Sequence, residues 1–357
     1  MIFIKRDTQK YKSWITHRNK KNLIRRTQKK LAVKAFRTRE NEYNRSLKKY
    51  IPYDKEERSY KFTAPLIFSF SENSEETTRF FNDIIDFISN PKNFGKKIFV
   101  DISNIEMLTT DALMYLLAIV NNLNDRFRNK YRFSGNSPSK PEIKKLFMES
   151  GFYDFVRYQG KDPLTKNTDS IKIVSGTNSN TKIAKQIADF VISKTGLTKI
   201  ECQFIYVMMI ELMSNTHKHA YNENEFLLPQ WYCFAEFDKV DTIKFTFMDT
   251  GAGIPSTVKK NFAEKIDILR IKGDDKYVVS ALNGDFRTST EKTYRGKGLP
   301  KIRQICAEQK IYNTRILTNK ADVKIYPSSY EYKINKNPLQ GTLFYWQINI
   351  SKLKGEI

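Results

Sequence analysis

The sequence predicts an α/β (α+β) protein in which two layered units of strands and helices follow a basic, helical N-terminal arm. Three observations carry that expectation. Residues 61–158 alternate short apolar runs with segments of helical apolar spacing. Residues 180–220 hold two further amphipathic helices, with a series of strand-like runs after them. The first 60 residues are helical in pattern and strongly basic. At 357 residues the chain exceeds the usual domain size of about 100–200 residues, so an arm (1–60), a first domain (61–165) and a second domain (166–357) are expected.

In the arm, neither Gly nor Pro occurs from Lys10 to Leu47. Trp14, Ile15, Leu23, Ile24, Leu31, Val33 and Phe36 recur among basic residues at roughly helical spacing, which predicts one or two amphipathic helices. Residues 1–60 hold 19 Lys/Arg against 6 Asp/Glu, over half of the chain's formal charge of +23. Such an arm attracts nucleic acid, acidic protein surfaces or anionic lipid, and a plain solvated helix has the same composition. Ile51–Tyr60 reads as a polar connector.

The first domain opens with a strand-like run, Ala64–Phe70, and a helix over Glu75–Ile88. Lys97–Ile102 is a short apolar run suited to a buried strand, and an apolar helix follows over Thr110–Leu123. A short strand at Tyr131–Phe133, a turn at Ser134–Pro138 and a helix over Pro141–Ser150 with Gly151 at its end complete the unit.

In the second domain, helices are predicted over Asn180–Lys194 and Lys199–Ala220. Strands are predicted at Gln230–Phe237, Thr242–Met248, Tyr312–Thr318, Val323–Tyr326 and Leu343–Ile350. Glu211 and Asn215, four apart on the second helix, share one face about a turn apart and can reach one ligand together. At the end of the second strand Asp249 precedes Gly251 and Gly253, so a carboxylate able to accept from an exocyclic amine stands before a tight turn. Ser256–Tyr294 is a 39-residue polar insert of the kind that forms lids. Arg295-Gly296-Lys297-Gly298-Leu299-Pro300 then opens a helix whose backbone N–H groups and basic side chains suit phosphate.

These segments, in this order, resemble the boxes of the GHKL ATPase superfamily, which includes DNA gyrase, histidine kinases and MutL. The N box matches Glu211–Ala220, the first glycine box Asp249–Pro255 and the second Arg295–Pro300, where Pro300 stands in place of the usual last glycine. The resemblance implies a Bergerat fold, a helix layer on a mixed sheet, binding ATP and Mg²⁺. It assigns Mg²⁺ to Asn215 and the attacking water to Glu211. The adenine amine goes to Asp249. Nucleotide contacts are implied for His219, Gly251, Gly253, Ile254, Arg295, Gly296, Lys297, Gly298 and Leu299, and for Thr342 in the Gly-Thr entry to the last strand.

The first domain resembles STAS domains through Phe99–Asn104, Leu108–Leu113, Gly135-Asn136 and Leu146–Phe152. Antagonists of that family carry a phosphoaccepting Ser before the helix. Here Thr110 stands there and is read first as a helix cap, with a phosphoacceptor as the alternative.

Several activities are excluded at this stage. No apolar run approaches ~18 residues and no signal pattern opens the chain, so a cytoplasmic protein outside the membrane is expected. Cys202, Cys233 and Cys306 form no ligand or disulfide spacing. Histidine kinases carry a phosphoacceptor His upstream of the N box, and His17 lacks that setting. Gyrase and MutL continue into a transducer domain after the ATPase, and a protein of that kind is not the one expected here. The expected function is an Mg·ATP-controlled regulatory protein with slow hydrolysis, whose lid closure alters a surface read by a protein partner or by a second copy. A serine/threonine kinase of the anti-sigma type is the enzyme alternative, and ATP-switched nucleic-acid binding through residues 1–60 is the third.

Overall fold

The computed structural model describes residues 59–127, 132–156, 168–219, 227–286 and 298–355, together with the helical positions Gln9, Ser13, Thr16 and Asn19. The remainder of the predicted arm helices lies outside the described residues. The chain divides into two compact units, residues 1–57 with 90–95, and residues 58–89 with 96–357. In the first unit Asn90 caps a 3-10 turn at Pro91–Asn93 by accepting the N–H of Lys92. The second unit has a mixed architecture of helices with parallel and antiparallel sheets, the α+β class expected.

Among the described residues, its N-terminal block holds β1 (Ser59–Thr63), β2 (Ile67–Phe68), α1 (Ser74–Ser89), β3 (Lys97–Asp101), β4 (Met107–Leu108), α2 (Thr110–Phe127), β5 (Arg132–Gly135) and α3 (Pro141–Glu149). The order β1-β3-β5 is a parallel sheet, and β2 pairs parallel with β4. Parallel neighbours need long crossovers, and helices α1 and α2 supply them.

The strand expected over Ala64–Phe70 shrinks to Ile67–Phe68, and the sheet is instead entered by Ser59–Thr63. Pro65 has no N–H to give a ladder. Phe68 and Phe70 are buried all the same, packed on Phe81 with ring centroids 5.3 and 5.5 Å apart.

The C-terminal block runs β6 (Ser170–Gly176), α4 (Thr181–Thr195), α5 (Gln203–His219), β7 (Trp231–Phe237), β8 (Thr242–Asp249), α6 (Ile254–Asn261), α7 (Ala263–Leu269), α8 (Asp274–Asn283), α9 (Gly298–Ala307), β9 (Tyr312–Ile325), β10 (Tyr330–Asn349) and α10 (Ile350–Leu353). Helix α4 starts where its apolar stripe predicts, because the Asn180 side chain accepts the N–H groups of Lys182 and Ile183. The sheet order is β6-β7-β8-β10-β9, and every pairing in it is antiparallel, where a mixed sheet is expected. The short turn after Phe237 returns β7 directly into β8. The β9–β10 hairpin inserts its second arm beside β8, with Trp346 stacked on Phe245 at 4.9 Å.

The two faces of this sheet do different work, because side chains alternate along each strand. Trp231, Cys233, Phe245, Phe247, Phe344, Trp346 and Ile348 face one core with Met208, Met209, Leu212 and Met213 of α5 and with Ile302 and Ile305 of α9. Burying each such side chain contributes ~1.5–3 kcal/mol.

Intervening residues meet the N-terminal block on the other face. Thr246 Oγ1 lies 3.2 Å from Thr110 Oγ1, Tyr345 donates to Asp111, and Asn121 Nδ2 donates to Tyr232 Oη at 3.3 Å. Arg315 donates to the Ser71 carbonyl while its guanidinium forks onto Asp322 with two bonds of 2.7 Å. Thr110 therefore spends its hydroxyl toward the sheet rather than in the predicted cap.

The insert expected as a polar lid is largely helical. Helices α6, α7 and α8 close around a small core of Val258, Ile266, Tyr277 and Phe286, with Phe262 and Ile271 packed against it. Those apolar residues are too widely spaced among Lys and Asp to read as one periodic stripe. Only 287–294 of the predicted lid lies outside the described residues, as do Arg295, Gly296 and Lys297 of the segment that follows it. On its two sides, Tyr330 Oη donates to Asn283 Oδ1 of α8 at 2.6 Å and accepts from Arg303 Nε of α9 at 2.8 Å.

Candidate functional site

The described parts of the three motif segments lie on the face of the five-stranded sheet that carries α5 and α9. Asp249 occupies the final position of β8, in phase with Phe245 and Phe247, so its carboxyl points to the side of the sheet that carries α5 and α9. It accepts the N–H of Gly251 at 2.9 Å and hydrogen-bonds the Thr342 side chain, whose residue is its partner in the β8–β10 ladder. Burial pushes the Asp249 carboxyl up to about 6, against the lowering pull of those two bonds.

The turn after Asp249 is held from β9. Gly253 takes φ +82, a left-handed conformation that glycine adopts without strain, and a Cβ there would lie 2.6 Å from Asn319 Oδ1 and 2.8 Å from Thr318 Oγ1. Thr318 Oγ1 accepts the N–H of Ile254 at 3.1 Å, and its hydroxyl donates to the Gly341 carbonyl at 2.8 Å. Asn319 Oδ1 accepts the Ser256 N–H, and its Nδ2 donates to the Ala252 carbonyl. Asn319 itself sits at φ +49, where the two predicted strands Tyr312–Thr318 and Val323–Tyr326 join into one bulged strand. The polar run Thr318-Asn319-Lys320 inside an apolar pattern is the signal that marks this anchor.

At the other end of the site, Gly298 begins α9 directly against α5. A Cβ on Gly298 would lie 2.8 Å from Glu211 Oε2 and 3.3 Å from Asn215 Nδ2. The N-terminal end of α9, whose first N–H groups have no partner within the helix, is therefore pressed onto the two polar side chains that α5 presents one turn apart. Pro300 falls in the first turn of α9, where a missing N–H costs nothing. Leu299 and Ile254 are both partly buried against the main core. His219 closes α5, and its side chain lies outside the described residues.

The structure thus brings Glu211, Asn215 and Gly298 together at one end and Asp249, Gly251, Gly253, Thr318, Asn319 and Thr342 at the other. Sequence reasoning missed Thr318, Asn319 and Gln340. The Gln340 carboxamide joins three chain segments, donating to the Leu227 and Thr250 carbonyls at 3.1 and 3.0 Å and accepting the Leu227 N–H at 3.2 Å. Gly341 follows at φ +95, and a Cβ there would lie only 2.0 Å from the Asp249 carbonyl oxygen.

Among the described residues no group of three or more His, Cys, Asp or Glu is placed to hold a metal ion, and no helix is long and apolar enough to cross a membrane. Cys202, Cys233 and Cys306 are buried and free, with burial pushing the Cys233 thiol up to about 12. Comparison of the chain with protein-family profiles and with curated proteins finds no match.

Proposed function

We propose that this protein is an Mg²⁺-dependent ATP-binding regulatory protein of GHKL type, with a Bergerat-like C-terminal block and a STAS-like N-terminal block, and that it hydrolyses ATP slowly. The single observation that carries the reading is the meeting of Gly298 with Glu211 and Asn215 on the face that also presents Asp249. The residues fit the group in chemistry, because the polar atoms of Glu211 and Asn215 lie 2.8 and 3.3 Å from the position a Cβ would take on Gly298, at the start of a helix suited to an anion.

When bound, Mg·ATP supplies a phosphoanhydride bond and a neutralised triphosphate. Asp249 accepts from the adenine amine, and the Gly251 N–H and the Thr342 side chain hold that carboxylate in place. Asn215 would hold the Mg²⁺, with most of its other ligands coming from phosphates and water, so that a dedicated acidic cluster is not required. Glu211 takes a proton from the attacking water. The N–H groups at the start of α9 face the phosphates, and Arg295, Gly296 and Lys297 precede them in the chain.

Thr110 is half-buried behind the sheet, on the face opposite Asp249, so transfer to it within one molecule would require the two blocks to part. That placement favours hydrolysis and partner control over self-phosphorylation. Calorimetric titration with Mg·ATP tests the proposal: the wild type binds and Asp249→Asn does not. Intact binding in Asp249→Asn would sink it. Labelled ATP separates the enzyme classes, since an ATPase releases free phosphate and a kinase labels protein.

A further inference from the structure

Helix α2 reaches, through the back of the sheet, the segment that closes the Asp249 end of the site. Tyr115 is fully buried, and its phenol donates to the main-chain carbonyl of Gln340 at 3.2 Å. Gln340 is the residue whose side chain ties Leu227 to Thr250, and the next two residues are Gly341, packed on the Asp249 carbonyl, and Thr342, bonded to the Asp249 carboxyl.

A second tether leaves the same helix. Asn121 Nδ2 donates to Tyr232 Oη, and that hydroxyl donates to Gln230 Oε1 at 2.9 Å. The Gln230 N–H in turn donates to Thr250 Oγ1 at 3.0 Å. The N-terminal end of α2 is anchored to the sheet by Thr110 on Thr246 and Asp111 with Tyr345. One helix of the N-terminal block therefore holds both chain segments that flank Asp249-Thr250.

We propose that Tyr115 is a positioning residue for the nucleotide site, and that docking of α2 on the sheet and nucleotide binding at Asp249 are thermodynamically linked. The inference rests on the ATP reading above. Its physical basis is that Gln340, Gly341 and Thr342 have no slack: Gly341 is in contact with Asp249, so a shift of the Gln340 carbonyl moves the Thr342 hydroxyl that fixes the carboxyl. Linkage is reciprocal, so whatever factor α2 docking adds to nucleotide affinity, bound nucleotide adds to α2 docking. The N-terminal block would then sense the site without touching the ligand.

The test uses the full chain, wild type and Tyr115→Phe, in Mg·ATP calorimetry and in amide exchange followed over residues 110–123 and 340–342. The phenylalanine keeps the buried ring and removes only the donor. The expected results are an ATP Kd weakened by at least about fivefold and faster exchange at 340–342. In addition, Mg·ATP slows exchange across 110–123 in the wild type, and this protection is diminished in the variant. A residue with a purely structural role would lower the melting temperature and leave both the Kd and the ATP-induced protection unchanged. Should Tyr115→Phe fail to fold, Asn121→Ser at the second tether carries the same expectations. Wild-type binding together with a variant Kd within about twofold and equal protection would overturn the inference and leave the ATP reading standing. A wild type that binds no nucleotide would overturn both.

Discussion

The phenol of Tyr345, on the back of the five-stranded sheet, donates its proton to the fully buried carboxylate of Asp111 at the start of α2. Asp111 also accepts the N–H groups of Phe70 and Ser71 and the hydroxyl of Thr109, so one side chain gathers donors from both blocks. Burial raises the Asp111 carboxyl above its usual range, and those donors work against it. Asp111→Ala leaves buried donors unpaired at ~1–3 kcal/mol each. The expected loss is ~3–5 kcal/mol in chemical unfolding, while Tyr345→Phe, which spares the other donors, costs ~1–2 kcal/mol. Equal, small losses in the two variants would contradict a shared buried acceptor.

The Asp249 carboxyl predicts how stability depends on pH. Its value, about 6 in the folded chain, lies above the ordinary 3.8, so the folded state holds the proton more tightly than the unfolded state. The stability it contributes is fully present below about pH 3.8 and is lost as pH rises through about 6. The difference is worth up to about 3 kcal/mol. About half of that difference falls between pH 5 and pH 7.5, and denaturation at those two values should show that Asp249→Asn removes it. The raised Asp111 titrates in the same direction and remains in the variant. ATP affinity should move the other way, weakening as pH falls below about 6, since a protonated Asp249 no longer accepts as a carboxylate.

Two glycines of the site should respond differently to the same added methyl group. Gly341→Ala drives a Cβ into backbone at a positive φ, so a loss of ~4 kcal/mol or more, or failure to fold, is expected. Gly298→Ala meets the far end of the Glu211 side chain, which can swing aside, so stability should change by no more than about 1 kcal/mol. The cost of Gly298→Ala should appear in ATP hydrolysis, because the displaced group is Glu211. Thermal melts and phosphate release on the two variants check the contrast.

Glu211 and Asn215 are expected to separate by function as well. Glu211→Gln should lower hydrolysis by ~10²–10⁴-fold while ATP affinity changes little, the mark of a group used on the water rather than on the nucleotide. Asn215→Ala should lose the difference between ATP binding with and without Mg²⁺. Calorimetry with the metal and with chelator, beside single-turnover hydrolysis, reads both.

Much of this arrangement was legible in the sequence because it is local. Glu211 and Asn215 share a helix face by spacing alone, Asn180 announces the start of α4, and Asp249 followed by two glycines ends a strand. Other parts were hidden because their partners are distant. Ser59–Thr63 is too polar to read as a strand and becomes one only through its parallel ladder with Lys97–Asp101. Ser170–Gly176 likewise acquires its role from pairing with β7. The helices of the insert depend on Val258, Ile266, Tyr277 and Phe286 finding one another across 29 residues of charged sequence. Nothing near Tyr115 or Gln340 foretells their bond, because 225 residues separate them.

Strand β8 carries Thr246 toward one neighbour and Asp249 toward another, three residues apart. The pleat makes that division a matter of parity, so inserting or deleting a single residue between them would turn the carboxyl to the wrong side or break its ladder with Thr342. The length of this short stretch is therefore fixed twice over, and tolerated changes in it should be substitutions rather than indels.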